Sequence, residues 1–187
     1  MSLDNYYFLI ASLPALALER PPNLDSTVFF ERCRSQLSPR RYRQLENCGP
    51  TPNGSAATAA EAQWQAWETY LRNLLILRRV HHSGHEQAQK WLRHDDDVFP
   101  GIVRQVEEAI TEDNPLERER ALDRMRWQQL NHLAVRHEFD FEALQLYRIR
   151  LALAEKWREH DREAGRQALA ELTDRLLEQA REKAADI

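Results

Sequence analysis

The segment that decides the fold is residues 56–82, AATAAEAQWQAWETYLRNLLILRRVHH. Its large apolar side chains recur at alternating steps of four and three residues, which places them on one face of an α-helix. The face consists of Ala60, Trp64, Trp67, Leu71 and Leu74, with Arg78 next at the same spacing. Gly84 then stands where a helix commonly ends. The pattern predicts one long amphipathic helix that packs against others.

Shorter helical patterns lie on both sides of this segment. Asp25 or Ser26 can cap a helix that continues to Leu37, and Ser38-Pro39 gives a cap followed by proline at the first helical position. Further helices are predicted at 85–93, 101–111, 114–137 and from Asp140 onward, the last with apolar positions up to Leu169, Leu172, Leu176 and Ala180. With only five glycines in 187 residues, we expect an all-α bundle of about six to eight helices.

The N-terminal segment DNYYFLIASLPAL, residues 4–16, is apolar in a chain that is otherwise rich in charge. It lacks the basic start of a signal peptide, and Pro14 interrupts it after about ten residues, where a spanning helix needs about 20. Aromatic and branched side chains favour a short strand or an extended segment. In that conformation Tyr7 and Leu9 would face one side and Tyr6, Phe8 and Ile10 the other. We therefore expect a buried extended segment, which Tyr7→Asp would destabilise.

A proline-rich and glycine-rich loop divides the chain unevenly. Residues 48–55, CGPTPNGS, hold two glycines and two prolines, a composition typical of a loop or hinge. We expect a single helical domain over 1–187. Within it, a possible N-terminal lobe of residues 1–47 would be joined by this loop to a main bundle of residues 56–187.

Charge and cysteine usage indicate the compartment. The formal net charge is −4, which provides no overall field to attract nucleic acid or anionic lipid. Cys33 and Cys48 match no zinc spacing and are expected to be reduced thiols. These features predict a cytoplasmic protein that reaches the inner face of a membrane, if at all, only as part of a complex.

The sequence contains no familiar catalytic or cofactor motif. It has no GxSxG elbow, no glycine-rich phosphate loop and no HExxH pair, and we expect neither enzyme activity nor a cofactor. His81 and His85 stand at helical i, i+4 spacing and, together with His137, form the alternative: a helical-bundle metal-binding protein or enzyme. The favoured interpretation is that His81 and His85 complement a helix C-terminus and that His137 lies on the polar face of its helix.

Candidate residues for binding a partner fall into two groups. A basic patch interleaved with one tyrosine, Arg32, Arg34, Arg40, Arg41, Tyr42 and Arg43, precedes the loop. Three tryptophans with arginines near them, Trp91, Trp127 and Trp157, follow the long helix. Tryptophan and arginine are enriched in interface hot spots, although core packing is the default role of tryptophan. The basic patch also supports a weaker alternative, an RNA-binding module.

Four stretches resemble an uncharacterised bacterial family usually encoded beside V-type ATPase subunits. They are YYFLIASLP at 6–14, YLRNLLILRR at 70–79, NPLERERALDRMRWQQLNHL at 114–133 and HEFDFEALQLYRIRLALAEKW at 137–157. The resemblance implies that the protein stands in for the helical coupling subunit, which connects the central stalk to the membrane rotor. It further implies a non-enzymatic component with stalk or rotor subunits as partners and no expected nucleic acid. Full-length chains of that coupling subunit are considerably longer, and the family offers no catalytic residues to carry over.

Overall fold

The computed structural model describes residues 6–83, 90–93, 97–160 and 165–166. These residues form seven helices and no strand, so the all-α prediction is confirmed. The helices are α1 (Tyr7–Ala11), α2 (Ser26–Arg34), α3 (Pro39–Asn47), α4 (Ala59–Ser83), α5 (Pro100–Ile110), α6 (Pro115–Ala134) and α7 (residues 141–160). Most of the helix predicted at 85–93 lies outside the described residues, as do Gly84, Leu169, Leu172, Leu176 and Ala180.

The helix starts follow the capping signals in the sequence. The Asp25 carboxylate accepts a hydrogen bond from the Val28 amide at 2.9 Å at the start of α2. Ser38 caps α3 ahead of a proline at the first helical position. Asn114 and Asp140 accept bonds from amides in the first turns of α6 and α7 in the same way. Each cap satisfies an amide that the helix itself leaves without a partner.

The larger apolar core, here the main cluster, lies between α4, α5, α6 and one side of α7. Trp64 and Leu71 of α4 are fully buried in it, and the indole rings of Trp64 and Trp67 stack with centroids 5.8 Å apart. The predicted apolar face of α4 is therefore confirmed from Ala60 to Leu71. Arg78, at the same helical spacing, instead lies at the surface and forms an ion pair with Glu107 of α5.

A second core, here the N-terminal cluster, packs α1, α2 and α3 on the other side of α7. Its buried members are Leu9, Leu24, Phe29, Cys33, Leu37, Leu45, Phe141, Leu144 and Leu151. The last three belong to α7, so this core is completed by residues far along the chain. The Phe29 ring stacks on the Tyr147 ring at 5.5 Å, which extends the contact along α7.

The prediction of a buried, extended N-terminal segment is wrong in its conformation and for most of its side chains. Residues 7–11 form a single helical segment, in which only Leu9 is buried. Tyr7 and Phe8 are 49% and 83% exposed. A helix of five residues can turn one side chain into the N-terminal cluster while its neighbours point outward, whereas an isolated strand here would have no partner for its backbone groups. Because Tyr7 is not buried, the reason for expecting Tyr7→Asp to destabilise the fold is absent.

The loop at residues 48–55 has no regular secondary structure. Gly54 adopts a φ of +77°, a conformation that residues with a β-carbon rarely take. Cys48 at the beginning of the loop is buried in the main cluster. The division into a lobe of 1–47 and a bundle of 56–187 stays a prediction, although the proposed lobe shares its apolar core with α7.

Within the described ranges no helix combines the length and apolar character needed to cross a membrane.

Candidate functional site

A buried network of charges joins α4, α6 and α7. Glu68 of α4 and Asp123 of α6 are fully buried, and Arg126 of α6 is 8% exposed. The Arg126 guanidinium donates to Glu68 at 3.0 and 3.2 Å and to Asp123 at 2.7 Å. Arg72, one turn after Glu68, donates to the same carboxylate at 2.7 Å. Each buried charge therefore has an opposite charge in direct contact, which is the condition for burying it without a large penalty.

The same network fixes two side chains of α7. Lys156 donates from its ammonium to Asp123 at 2.7 Å and also contacts Glu119. The Trp157 indole N–H donates to Asp123 Oδ2 at 2.9 Å. Burial alone disfavours a charged guanidinium, but the Glu68 and Asp123 carboxylates outweigh it and raise the pKa of Arg126 above its ordinary value. Arg126 and Lys156 thus hold the Asp123 carboxylate in place, and its bond to the indole N–H holds Trp157 in one orientation.

A cavity of about 300 Å³ opens to solvent above Trp157. Its walls are the irregular segment 18–21, the exposed side of α6 and the end of α7. Its charged lining residues are Glu19, Arg20, Arg120, Arg124 and Arg158. Four arginines and one glutamate line this cavity, and the indole of Trp157 forms part of its lining. Arg120 and Arg158 also pair with Glu117 and Glu155, which are not among the lining residues. We call it the arginine pocket.

A second buried polar cluster lies where the loop meets α4. The Gln145 amide of α7 donates to Glu61 at 2.7 Å and accepts a bond from the Thr58 hydroxyl at 2.6 Å. The Ala57 amide also donates to Glu61, at 2.8 Å. Burial, with the nearby Glu61 carboxylate, raises the pKa of Cys48 well above its ordinary value. This thiol is therefore protonated at neutral pH and suited to packing rather than to nucleophilic chemistry.

The predicted basic patch is brought together on α2 and α3, and several of its side chains are held by neighbours. Arg34 lies over the Tyr42 ring at 5.1 Å and donates to its hydroxyl at 3.2 Å. Arg41 lies over the Phe141 ring of α7 at 4.5 Å. Arg32 donates to the Ser12 carbonyl at 3.0 Å, and Arg43 donates to the carbonyl of Pro39 at 3.2 Å. Arg40 is exposed.

The three candidate tryptophans lie in different surroundings. Trp91 is 67% exposed. Trp127 is partly buried against the main cluster and lines a second cavity beside the arginine pocket. Trp157 is only 6% exposed and reaches the surface as a lining of the arginine pocket. Of the three, only Trp91 presents the large exposed ring that an interface hot spot needs.

Of the three candidate histidines, the structure describes the side chain of His137 alone. His85 and the side chain of His81 lie outside the described residues. The His137 Nδ1 atom lies 2.7 Å from an Asp140 carboxylate oxygen, and potential ligand atoms of His137, Asp140 and Glu142 lie within 4.8 Å of one another. Asp140 also caps α7, so a structural role already accounts for this contact.

Sequence reasoning missed the buried charges and the arginine pocket. A signal existed for the charges: Glu61 and Glu68 stand seven residues apart, each directly beside the apolar face of α4. Asp123 and Arg126 flank Leu122 and Met125 in the same way on α6. The pocket had no comparable signal, because segment 18–21, α6 and α7 are distant in sequence.

Comparison with known proteins finds similarity to a family but indicates no function. Residues 97–180 match the model of a family described as "Protein of unknown function (DUF2764)". The match spans α5, α6 and α7, including Asp123, Arg126 and Trp157, and leaves out Glu68 and segment 18–21. No curated protein and no solved structure matches the chain. The chain is thus an all-α protein similar over this stretch to an uncharacterised family.

Proposed function

We propose that this protein is a non-enzymatic structural or assembly component of a bacterial V-type rotary ATPase. In this role it takes the place of the helical coupling subunit, between the central stalk and the membrane rotor. The proposal rests on the resemblance of four sequence stretches to the family encoded beside V-type ATPase subunits. Its partners are stalk or rotor subunits, and it reaches the cytoplasmic face of the membrane through them.

The observation that carries the proposal is an exposed aromatic surface on α1. Tyr7 and Phe8 are in edge-to-face contact with ring centroids 5.5 Å apart; Phe8 is largely exposed and Tyr7 about half exposed. The Tyr7 ring also packs on Phe139 at 4.7 Å. We call Tyr7, Phe8 and Phe139 the aromatic surface. Large exposed rings that are held in place by neighbours are typical of the centre of a protein interface.

The charges beside the aromatic surface favour an acidic protein partner. Arg32 of α2 reaches the end of α1, where it donates to the Ser12 carbonyl. Arg34, Arg40 and Arg43 are exposed on α2 and α3. Arginine around an aromatic centre suits carboxylate-rich helical surfaces, because the guanidinium forms paired hydrogen bonds with carboxylates.

The way the aromatic surface is attached to the rest of the fold supports a coupling role. The Tyr6 amide donates to the Phe139 carbonyl at 2.7 Å, which attaches α1 to the residues before α7. The Tyr147 hydroxyl donates to the Pro14 carbonyl at 2.9 Å and fixes the chain after α1. A part that transmits force between subunits needs a docking surface that is attached to long helices in this way.

Co-purification from the native cell tests the proposal. The chain carries an affinity tag and is compared with Phe8→Asp and with a control, Val135→Asp, because Val135 is 76% exposed at the end of α6. We expect V-type subunits to accompany the original and control chains and to be lost with Phe8→Asp. Circular dichroism checks that both variants remain folded. Recovery of the original chain alone, while the V-type subunits are intact in the same cells, would contradict the proposal.

The metal-binding alternative keeps one supporting observation, the proximity of His137, Asp140 and Glu142. Elemental analysis and titration with Zn²⁺ or Fe²⁺ decide it. Stoichiometric metal that is lost in His137→Ala would favour the alternative over the structural role. The RNA-binding alternative predicts salt-sensitive retention on RNA that replacement of Arg40, Arg41 and Arg43 abolishes.

A further inference from the structure

The arginine pocket has no part in the interface proposed above, although four arginines line it. Arg120 and Arg124 project from α6, Arg158 from α7 and Arg20 from the segment after α1. All of them but Arg20 pair with one glutamate each. A guanidinium has more N–H donors than one such pair uses, so donors remain for an anion in the space between these side chains.

Two of these arginines are held in position by neighbouring side chains. Arg120 lies over the Trp157 ring at 5.2 Å and donates to Glu117 at 2.7 Å. Trp157 is itself fixed by its bond to the buried Asp123. Arg124 donates to Glu19 at 3.3 Å. The pocket therefore has a preorganised wall, which lowers the entropy cost of binding a ligand.

Arg20 differs from the others. Across the parts of the chain that the structure describes, no side chain or carbonyl forms a hydrogen bond or an ion pair with its guanidinium. It lines both the arginine pocket and the adjoining cavity, which measures about 460 Å³. Among the described residues, nothing competes with a ligand for the donors of its guanidinium.

We propose that the arginine pocket binds the pyrophosphate group of a small molecule. A guanidinium presents parallel N–H donors that match phosphate oxygens, and it remains charged at any physiological pH. A single carboxylate offers only two acceptor oxygens to these guanidinium groups, whereas two linked phosphates bring several negative charges and many acceptors. The cavity of about 300 Å³ is large enough for this group.

Two sources of pyrophosphate chemistry fit the surroundings. Inorganic pyrophosphate would occupy the arginine pocket alone. A nucleoside diphosphate would place its phosphates there and extend into the adjoining cavity, which Leu16, Leu18 and Trp127 line beside Arg20 and Arg124. An indole can stack on a nucleobase.

Isothermal titration calorimetry of the full chain tests the proposal. Inorganic phosphate, inorganic pyrophosphate and ADP are titrated separately at low ionic strength without divalent cations. We expect pyrophosphate or ADP to bind about tenfold more tightly than phosphate, because more arginines are engaged, and binding to weaken as salt is added. Tighter binding of ADP than of pyrophosphate assigns the nucleotide, and the reverse assigns the inorganic ion.

Matched arginine substitutions locate the site. Arg20→Gln and Arg124→Gln each remove one guanidinium from the pocket and are expected to weaken pyrophosphate binding about tenfold. Arg104→Gln is the control, since Arg104 is 86% exposed on α5 and pairs with Glu108 outside the pocket. We expect it to retain the original affinity within about twofold.

Three results would overturn the proposal. The first is the absence of heat and of saturable binding with both pyrophosphate and ADP. The second is equal affinity for phosphate and pyrophosphate. The third is a loss of affinity in Arg104→Gln as large as that in Arg20→Gln, which would indicate attraction to the whole surface. Loss of the V-type partners in Phe8→Asp tests a different surface and does not bear on this result.

Discussion

The two sides of α7 are stabilised by different interactions. On the side of the main cluster, long helices bury a network of opposite charges around Asp123 together with the apolar core. On the other side, three short helices pack on α7 through aromatic and aliphatic side chains, and the polar contacts across to α7 are hydrogen bonds such as those from Ser26 to Glu155. One helix thus supports a region in which buried charges fix the geometry and a region that depends on apolar contact, caps and hydrogen bonds. The four predictions below test this contrast.

Removal of the centre of the charge network should have the largest effect. Asp123→Ala leaves Arg126, Lys156 and the Trp157 N–H without their shared acceptor, and we expect it to lower the free energy of unfolding by about 3–5 kcal/mol. Urea denaturation measures the change. The matched control is Glu108→Ala, which breaks an exposed pair with Arg104 and should cost at most about 1 kcal/mol. Equal effects of the two substitutions would show that the network contributes nothing specific.

The N-terminal cluster should respond to the loss of apolar volume. Leu9 is the only buried residue of α1, and we expect Leu9→Ala to cost about 2–3 kcal/mol, since a short helix can partly readjust. Phe8→Ala on the same helix provides the comparison, because Phe8 is 83% exposed. Thermal or urea unfolding distinguishes them. A larger loss in Phe8→Ala would mean that α1 is oriented differently.

The two cysteines report on the two regions separately. Cys33 is buried in the N-terminal cluster and Cys48 in the main cluster, and burial raises the pKa of Cys33 to about 12. The variant Cys48→Ala keeps only Cys33, and Cys33→Ala keeps only Cys48. Each is labelled with a thiol reagent, and the labelling rate of the folded chain is divided by the rate of the same chain in denaturant. We expect Cys33 to react about tenfold faster, because short helices open locally more readily. Faster labelling of Cys48 would show instead that the main cluster opens more readily than the N-terminal cluster.

Alkaline pH should weaken the attachment of the N-terminal cluster to α7. Burial raises the pKa of Tyr147 from 10.0 to about 12, so the folded protein favours the neutral phenol. Its stabilising effect is complete below about pH 10 and is lost as the pH rises through about 12. Tyr147→Phe should cost about 1 kcal/mol at neutral pH, through the hydrogen bond to Pro14, and this difference should shrink at high pH. Urea unfolding at several pH values measures it. A difference that stays constant with pH would contradict the role of the phenol.

The elements that could be predicted from the sequence are those governed by local chemistry. The caps at Asp25, Ser38, Asn114 and Asp140 depend on residues within three positions, and the predicted helix starts agree with the structure. The apolar face of α4 follows from helical periodicity alone. The conformation of residues 7–11 could not be predicted in this way, because it depends on contacts with Phe139 and α7.

The candidate site was less accessible to prediction. Glu68 and Arg126 look like surface charges in isolation, and their burial depends on each other across two helices. The arginine pocket joins residues about 100 positions apart, as the contact between Glu19 and Arg124 shows. The basic patch on α2 and α3 was visible in the sequence, but the sequence did not show that Arg34 and Arg41 lie over aromatic rings.

The burial of α7 has an evolutionary consequence. Leu144, Gln145 and Leu146 are consecutive and completely buried, one against the N-terminal cluster, one in the polar cluster with Glu61 and one in the main cluster. Each of these side chains faces a different buried environment, so a larger or differently shaped side chain finds no room at any of the three positions. When many relatives of this protein are aligned, these three columns should be among the slowest to vary.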